Sequence, residues 1–153
     1  MIVARHWPRD PDYAERVRTS FARQTALGLI GATIRKVTPG AVEIELPYRA
    51  DLCQQHGFLH GGIITTIVDS ACGYAALSLM APETGVLAVE FKINLLSPGV
   101  GERFIARGQV VRSGRTITVC SGEVVALQGD AEKPIALMQA TIMAIRGREG
   151  IQD

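Results

Sequence analysis

The stretch HGFLHGGIITTIVDSACGYAAL, residues 56–77, decides how the chain folds. From Gly61 to Met80 its only formal charge is Asp69, set about two helical turns after His60-Gly61-Gly62. A buried carboxylate without a partner is costly, so proteins exclude it or use it. The run is about long enough to cross a bilayer, but its glycines, threonines and acid make it a poor span. No separate basic cluster flanks it, and it reads as a buried helix. Its β-branched opening, IITTIV, has weak helix propensity, so tertiary burial must hold it.

The chain has 153 residues, 47% hydrophobic and 20% charged, a globular composition for one domain with a real core. The single domain is expected over 1–153, with a helical segment at about 10–28 and a frayed tail at about 147–153. A net charge of +1 argues against nucleic-acid binding, which needs a clustered basic surface. The cysteines Cys53, Cys72 and Cys120 are widely spaced with no C-x-x-C pair, which suits a reducing cytoplasm. The opening MIVARHWPRDPDY has no apolar core of the kind a secretory signal carries.

Asp10-Pro11-Asp12 reads as a helix start, followed by Tyr13, Val17, Phe21 and Leu27 at helical spacing, with Gly28 and Gly31 as the stop. In AVEIELP, Val42, Ile44 and Leu46 alternate with glutamates as in a half-buried strand. YRADLCQQHGFL has no clean period and reads as a long ordered loop. Beyond the turn APETG everything reads as strand. In VLAVEFKINLLSPG, Leu87, Val89, Phe91, Ile93 and Leu95 are expected on one face. RFIARGQVVR and RTITVCSGEVVAL follow through tight turns, and the polar loop QGDAEKP leads into IALMQATIMAI. Hairpin connections mean an antiparallel sheet, and a helix apolar on nearly all sides must be covered on nearly all sides. The fold class is therefore α+β: a curved antiparallel sheet of five to six strands wrapped around one long central helix, with a short N-terminal helix.

Glycines at a helix N-terminus let a ligand reach the free backbone N–H groups, which favour developing negative charge. Asp69 lies eight residues beyond Gly61, roughly 12 Å along the axis at 1.5 Å per residue. An oxyanion donor and a base must both stand about 3 Å from one reacting group. Within one chain this pair cannot; two antiparallel copies related by a two-fold axis can, which puts any catalytic site between subunits. The other readings of these residues are bland. Asp69 can be a structural acid bonded to a hydroxyl, and His56, His60 and Asp69 make a poor metal set because the glycines break the helix between them. Cys72 at mid-helix reads as an inert core thiol, and Arg112 and Arg115 flank a tight turn whose default is a solvated hairpin.

Gln54-x5-His60-Gly61-Gly62-x6-Asp69 together resembles the hotdog-fold acyl-CoA thioesterases of the phenylacetate-pathway (PaaI-like) group. VEFKINLLSPG is similar to that family's central strand, and the match covers residues 25 to 146. The resemblance implies hydrolysis of an acyl-coenzyme A thioester. It makes Asp69 the general base or nucleophile, the Gly61 N–H the oxyanion donor, and Gln54 the amide that holds carbonyl or water. His60 then shapes the turn into the helix rather than acting as base, and Gly62, Thr66 and Ala88 join it as substrate contacts. Some relatives carry a Ser or Thr where this chain has Ala88, so another hydroxyl (Thr65, Thr66 or Ser70) takes over or Asp69 holds the water alone. Lys92, Arg112 and Arg115 are the candidates for the phosphates of coenzyme A. A homodimer or homotetramer is implied, with no metal, no redox cofactor, no nucleic acid and no membrane. Two alternatives stand beside this reading. A hotdog hydratase or dehydratase would commonly show a Pro-Gly approach to the helix where this chain has Gly-Gly. A non-catalytic acyl-CoA sensor would normally carry a further domain.

Overall fold

The computed structural model describes residues 5–153, so the first four residues of the expected domain lie outside the described residues. In chain order the elements are α1 (Tyr13–Arg23), α2 (Thr25–Ile30), β1 (Thr33–Thr38), β2 (Ala41–Pro47), α3 (Gly61–Leu77), β3 (Gly85–Leu95), β4 (Arg103–Ser113), β5 (Ile117–Gln128) and β6 (Ala131–Ile145). Six strands form one antiparallel sheet in the order β1-β2-β4-β5-β6-β3. The connection from β2 through α3 to β3 carries the chain across the sheet to its far edge, so α3 packs against β2, β3, β4, β5 and β6. The wrapped central helix of the sequence reading is the one seen, and among the described residues no helix is long and apolar enough to cross a membrane.

Alternation fixes which strand residues meet the helix. Val42, Ile44 and Leu46 from β2, Phe104 and Ala106 from β4, Cys120 and Val124 from β5, and Ala140 and Ile142 from β6 are buried with Ile64, Ile67, Val68, Ala71 and Cys72 of α3. Gly108 and Gly122 are cross-strand partners in the middle of this face. A Cβ on Gly108 would stand 2.3 Å from the backbone C and O of Ala71, and one on Gly122 would stand 2.5 Å from Val68 Cγ2. The sheet therefore touches the helix backbone directly at Gly108 and the helix side chains Val68 and Cys72 at Gly122.

The far end of α3 is held by a group that sequence reading missed. Arg16 donates to the carbonyls of Leu77 (3.0 Å), Met80 (2.8 Å) and Ala81 (2.8 Å) and pairs with Asp10 at 3.1 Å. Cation and helix C-terminus are complementary, and orphan carbonyls gain partners.

Several expectations are corrected. The N-terminal helix is two helices broken at Gln24, which is extended and donates through Nε2 to the Tyr74 hydroxyl at 2.8 Å. Only Gly31, in the left-handed region at φ 79°, ends α2; Gly28 lies inside it. α1 starts at Tyr13 with Asp12 at its N-cap, and Asp10 accepts the Asp12 N–H in the turn that leads into it. β1 was hidden by its Arg35-Lys36 pair, where its register shifts. In β3 the register shifts between Ala88 and Glu90. Val86 and Ala88 thus share the helix side with Phe91, Ile93 and Leu95 across the bulge, while Leu87 turns outward. The loop QGDAEKP shrinks to a Gly129-Asp130 turn, since Glu132 is tied to Arg107 at 2.5 Å on the outer face and Pro134 sits next to another register shift. The tail beyond Ile145 carries no regular structure but is not free: Asp153 accepts hydrogen bonds from Ser20 Oγ (2.7 Å) and the Val86 N–H (3.0 Å).

Gly108→Ala drives a methyl into main chain that cannot swing aside, so it is expected to cost about 3 kcal/mol or more. Gly28→Ala, where an added Cβ meets nothing within 4 Å, is expected to be neutral or to gain about 0.5 kcal/mol. Urea unfolding of the two variants beside the parent checks both.

Candidate active site

α3 enters from an ordered loop whose Leu59 N–H bonds to Gly99 O at 3.0 Å and whose His60 N–H bonds to Leu52 O at 3.0 Å. His60 is the N-cap: its Nδ1 accepts the Gly62 N–H at 2.9 Å, and its carbonyl accepts from Ile63 and Ile64. The N–H groups of Gly62, Ile63 and Ile64 are thus taken, whereas that of Gly61 has no partner among the described residues. This leaves one free donor at the positive end of the helix. A Cβ at Gly61 would stand 2.9 Å from Leu95 Cδ1, so a larger residue would crowd that donor.

Gln54 and Gly61 line one cleft, together with Phe58, Ile64, Leu95 and Ser97. The Gln54 side-chain oxygen accepts from the His56 N–H, which leaves its Nε2 as a donor. Asp69 lies elsewhere, in a second cleft with Gln24, Ser70, Gly73, Tyr74, Val86, Ala88 and Asp153. Its Oδ1 is buried without a hydrogen-bond partner among the described residues, and burial raises its pKa above the ordinary carboxylate value. One chain therefore brings Gly61 and Gln54 together but keeps them apart from Asp69.

The remaining candidates divide in the same way. Ala88 faces the Asp69 cleft, while His60, Gly62 and Thr66 line a third hollow with Asp51 and Cys53. Thr65 and Thr66 donate their hydroxyls to Gly61 O and Gly62 O at 2.8 Å, so of the three hydroxyls only Ser70 lines the Asp69 cleft. Lys92, Arg112 and Arg115 line none of these hollows and make no ion pair among the described residues. The Cys72 thiol is buried in the core, and burial pushes its pKa well up, as for an inert thiol. Among the described residues no group of three or more His, Cys, Asp or Glu could hold a metal. Gln24, Tyr74 and Asp153 escaped sequence reading. Tyr74, a polar ring five residues after Asp69 in an apolar helix, was the one visible signal.

The stripe Gly62, Thr66, Asp69, Gly73 follows helical spacing along the one side of α3 that its own sheet leaves less than fully covered. Next to it runs β3, an edge strand of the sheet among the described residues, where Phe91 (42% exposed) and Leu95 (56%) leave large apolar side chains exposed on the helix side.

Comparison with known proteins gives one family. Residues 56–133 match the thioesterase superfamily. The solved structure of a thioesterase family protein from Silicibacter pomeroyi superposes with a TM-score of 0.87 at 53% identity, covering 88% of this chain and 99% of that one. The E. coli PaaI protein of the phenylacetic acid degradation operon superposes at 0.80 with 23% identity over 89% and 95% of the two chains, a likeness of fold alone. Human acyl-coenzyme A thioesterase 13 is 28% identical over 92 residues, 58% of this chain. The chain spans 64% of that relative's length and 56% of a Saccharolobus solfataricus relative's.

Burial favours the neutral form of Asp69, so its contribution to stability falls as pH rises from the ordinary carboxylate range through the raised value. Asp69→Asn is therefore expected to stabilise the protein at neutral pH, seen as a raised Tm. The gain should vanish at pH 3. Thermal melts at both pH values check the sign.

Proposed function

Because the chain belongs to the thioesterase superfamily, a family of thioester hydrolases, we propose that it cleaves an acyl-coenzyme A thioester to the free acid and coenzyme A in a site shared by two subunits. The observation that carries this reading is the separation of an unpartnered acid and an unpartnered helix N–H into different clefts of one chain. A two-fold dimer that covers the stripe on α3 and the apolar edge of β3 puts the Asp69 of one subunit opposite the Gly61 and Gln54 of its partner. Each dimer then holds two sites. A tetramer is a pair of such dimers.

In this mechanism Asp69 takes a proton from water as the water oxygen attacks the thioester carbonyl carbon. The carbonyl oxygen becomes an oxyanion, met by the Gly61 N–H at the positive end of α3 and by Gln54 Nε2. The tetrahedral species collapses, the C–S bond breaks, and the leaving thiolate takes the proton back from Asp69. Direct attack by the carboxylate, giving a mixed anhydride that water then opens, uses the same groups. His60 keeps the Gly62 N–H occupied and so aims the free donor at Gly61. Ser70 is the hydroxyl placed to orient the water beside Ala88, and Gly62 and Thr66 border the substrate's path. No metal or redox cofactor is required. Lys92, Arg112 and Arg115 supply positive charge for the coenzyme A phosphates, and the three free thiols suit a cytoplasmic enzyme.

A thiol-release assay over a panel of acyl-CoAs tests the reading. Asp69→Asn should lose about 100-fold or more in kcat, since a positioned base contributes that much. The acid limb of the parent's pH profile should lie above the ordinary carboxylate range and disappear in the variant. Equal activity in both would overturn the role of Asp69; acyl-CoA binding without turnover in the parent would favour the binding-protein alternative. Mixing Asp69→Asn with Gln54→Ala chains should restore activity in verified heterodimers, and no rescue would place the whole site in one chain. Arg112→Ala with Arg115→Ala is expected to raise KM and spare kcat.

A further inference from the structure

The wall of the Asp69 cleft farthest from the helix N-terminus is built from parts that the chemistry does not use. Gln24 reaches it from the break between α1 and α2, Tyr74 from α3, and Asp153 from the chain's last residues. These groups are wired together. Gln24 Nε2 donates to the Tyr74 hydroxyl at 2.8 Å, that hydroxyl lies 3.3 Å from Ser20 Oγ, and Ser20 Oγ donates to Asp153 Oδ1 at 2.7 Å. Ser20 has one proton and a carboxylate only accepts, so the Tyr74 hydroxyl is the donor toward Ser20. The other Asp153 oxygen accepts the Val86 N–H at 3.0 Å. The tail behind Asp153 is strapped down: Arg23 Nη2 donates to Gln152 O at 3.3 Å, and Ile151 packs on Gly85, where a Cβ would stand 2.7 Å from Ile151 Cγ2. Helix, tail and first residues of β3 thus close one end of the cleft with a satisfied polar wall.

We propose that Asp153, with Gln24 and Tyr74, is a specificity-determining element that limits the acyl group to a short chain or a single ring. This rests on the acyl-CoA thioesterase reading of the same cleft. Asp69 and Tyr74 are five residues apart, roughly 7.5 Å of helix axis at 1.5 Å per residue. An acyl group whose carbonyl sits at Asp69 therefore runs along Ser70, Gly73, Val86 and Ala88 for that distance before it meets the wall. A longer chain must break hydrogen bonds that are already made within the protein, and an apolar chain offers no replacement for them.

The ratio of kcat/KM for decanoyl-CoA over butyryl-CoA reads the wall directly. The parent should favour butyryl-CoA. Asp153→Ala and Gln24→Ala should each raise the ratio about tenfold or more, the scale on which apolar pockets discriminate size. Asp153→Asn keeps the bulk and a bonding route to Ser20 and Val86, and should leave the ratio within about twofold. The same ratio is measured as Kd on an Asp69→Asn background, which gives the length preference even if the parent releases no thiol. Failure of hydrolysis and failure of this proposal are thereby distinguished. A parent that prefers decanoyl-CoA, or alanine variants that weaken both substrates equally, would overturn it.

Discussion

The contact on which the rest depends is the seating of α3 on Gly108 and Gly122, the first against the backbone of Ala71 and Cys72 and the second against the side chains of Val68 and Cys72. The two glycines are cross-strand neighbours, and there is no room at either for even a methyl group. A helix that close is fixed in height and rotation, because Ala71, Val68 and Cys72 can face the sheet in only one way. Rotation in turn decides what the opposite side presents. With Ile64, Ile67, Val68, Ala71 and Cys72 turned inward, helical spacing turns Gly62, Thr66, Asp69 and Gly73 out of the core. The placement of the acid thus follows from two residues that never touch it.

That geometry makes sense of an acid in an apolar helix. A fully internal Asp69 would need a partner, and a fully exposed one would have the reactivity of any surface carboxylate. Lining a cleft, it is buried enough for desolvation to raise its pKa, and its Oδ1 has no hydrogen-bond partner among the described residues.

Most of the frame was legible in the sequence because it follows from periodicity. The alternation in β2 and the all-round apolarity of α3 each have one stable solution, a sheet wrapped on a helix. The separation of Gly61 from Asp69, which line different clefts, followed from the helix rise alone. What escaped reading depends on single long-range contacts. Arg16 on the carbonyls of Leu77, Met80 and Ala81, Gln24 on Tyr74, and Asp153 on Ser20 and Val86 are pairings across 50 residues or more, and no local pattern announces them. The bulge at Val89 is similar. A strict period of two across Leu87 to Leu95 looks like one face, and only pairing with β6 shows where it slips.

The two ends of α3 show how the fold keeps polarity available for chemistry. At the C-terminal end Arg16 engages three carbonyls and brings its own counter-ion, Asp10, so that end is closed. At the N-terminal end His60 satisfies the Gly62 N–H, and its carbonyl satisfies two more, yet the Gly61 N–H has no partner among the described residues. A helix capped at both ends would have no free donor to offer a developing oxyanion, and one open at both would be poorly held. A cation closes the negative end, while one donor is spared at the positive end, where Gly61 lines a cleft with Gln54. Asp69 of the same helix lies in a different cleft from that donor, so under the proposed mechanism the donor acts with the acid of a second copy of α3.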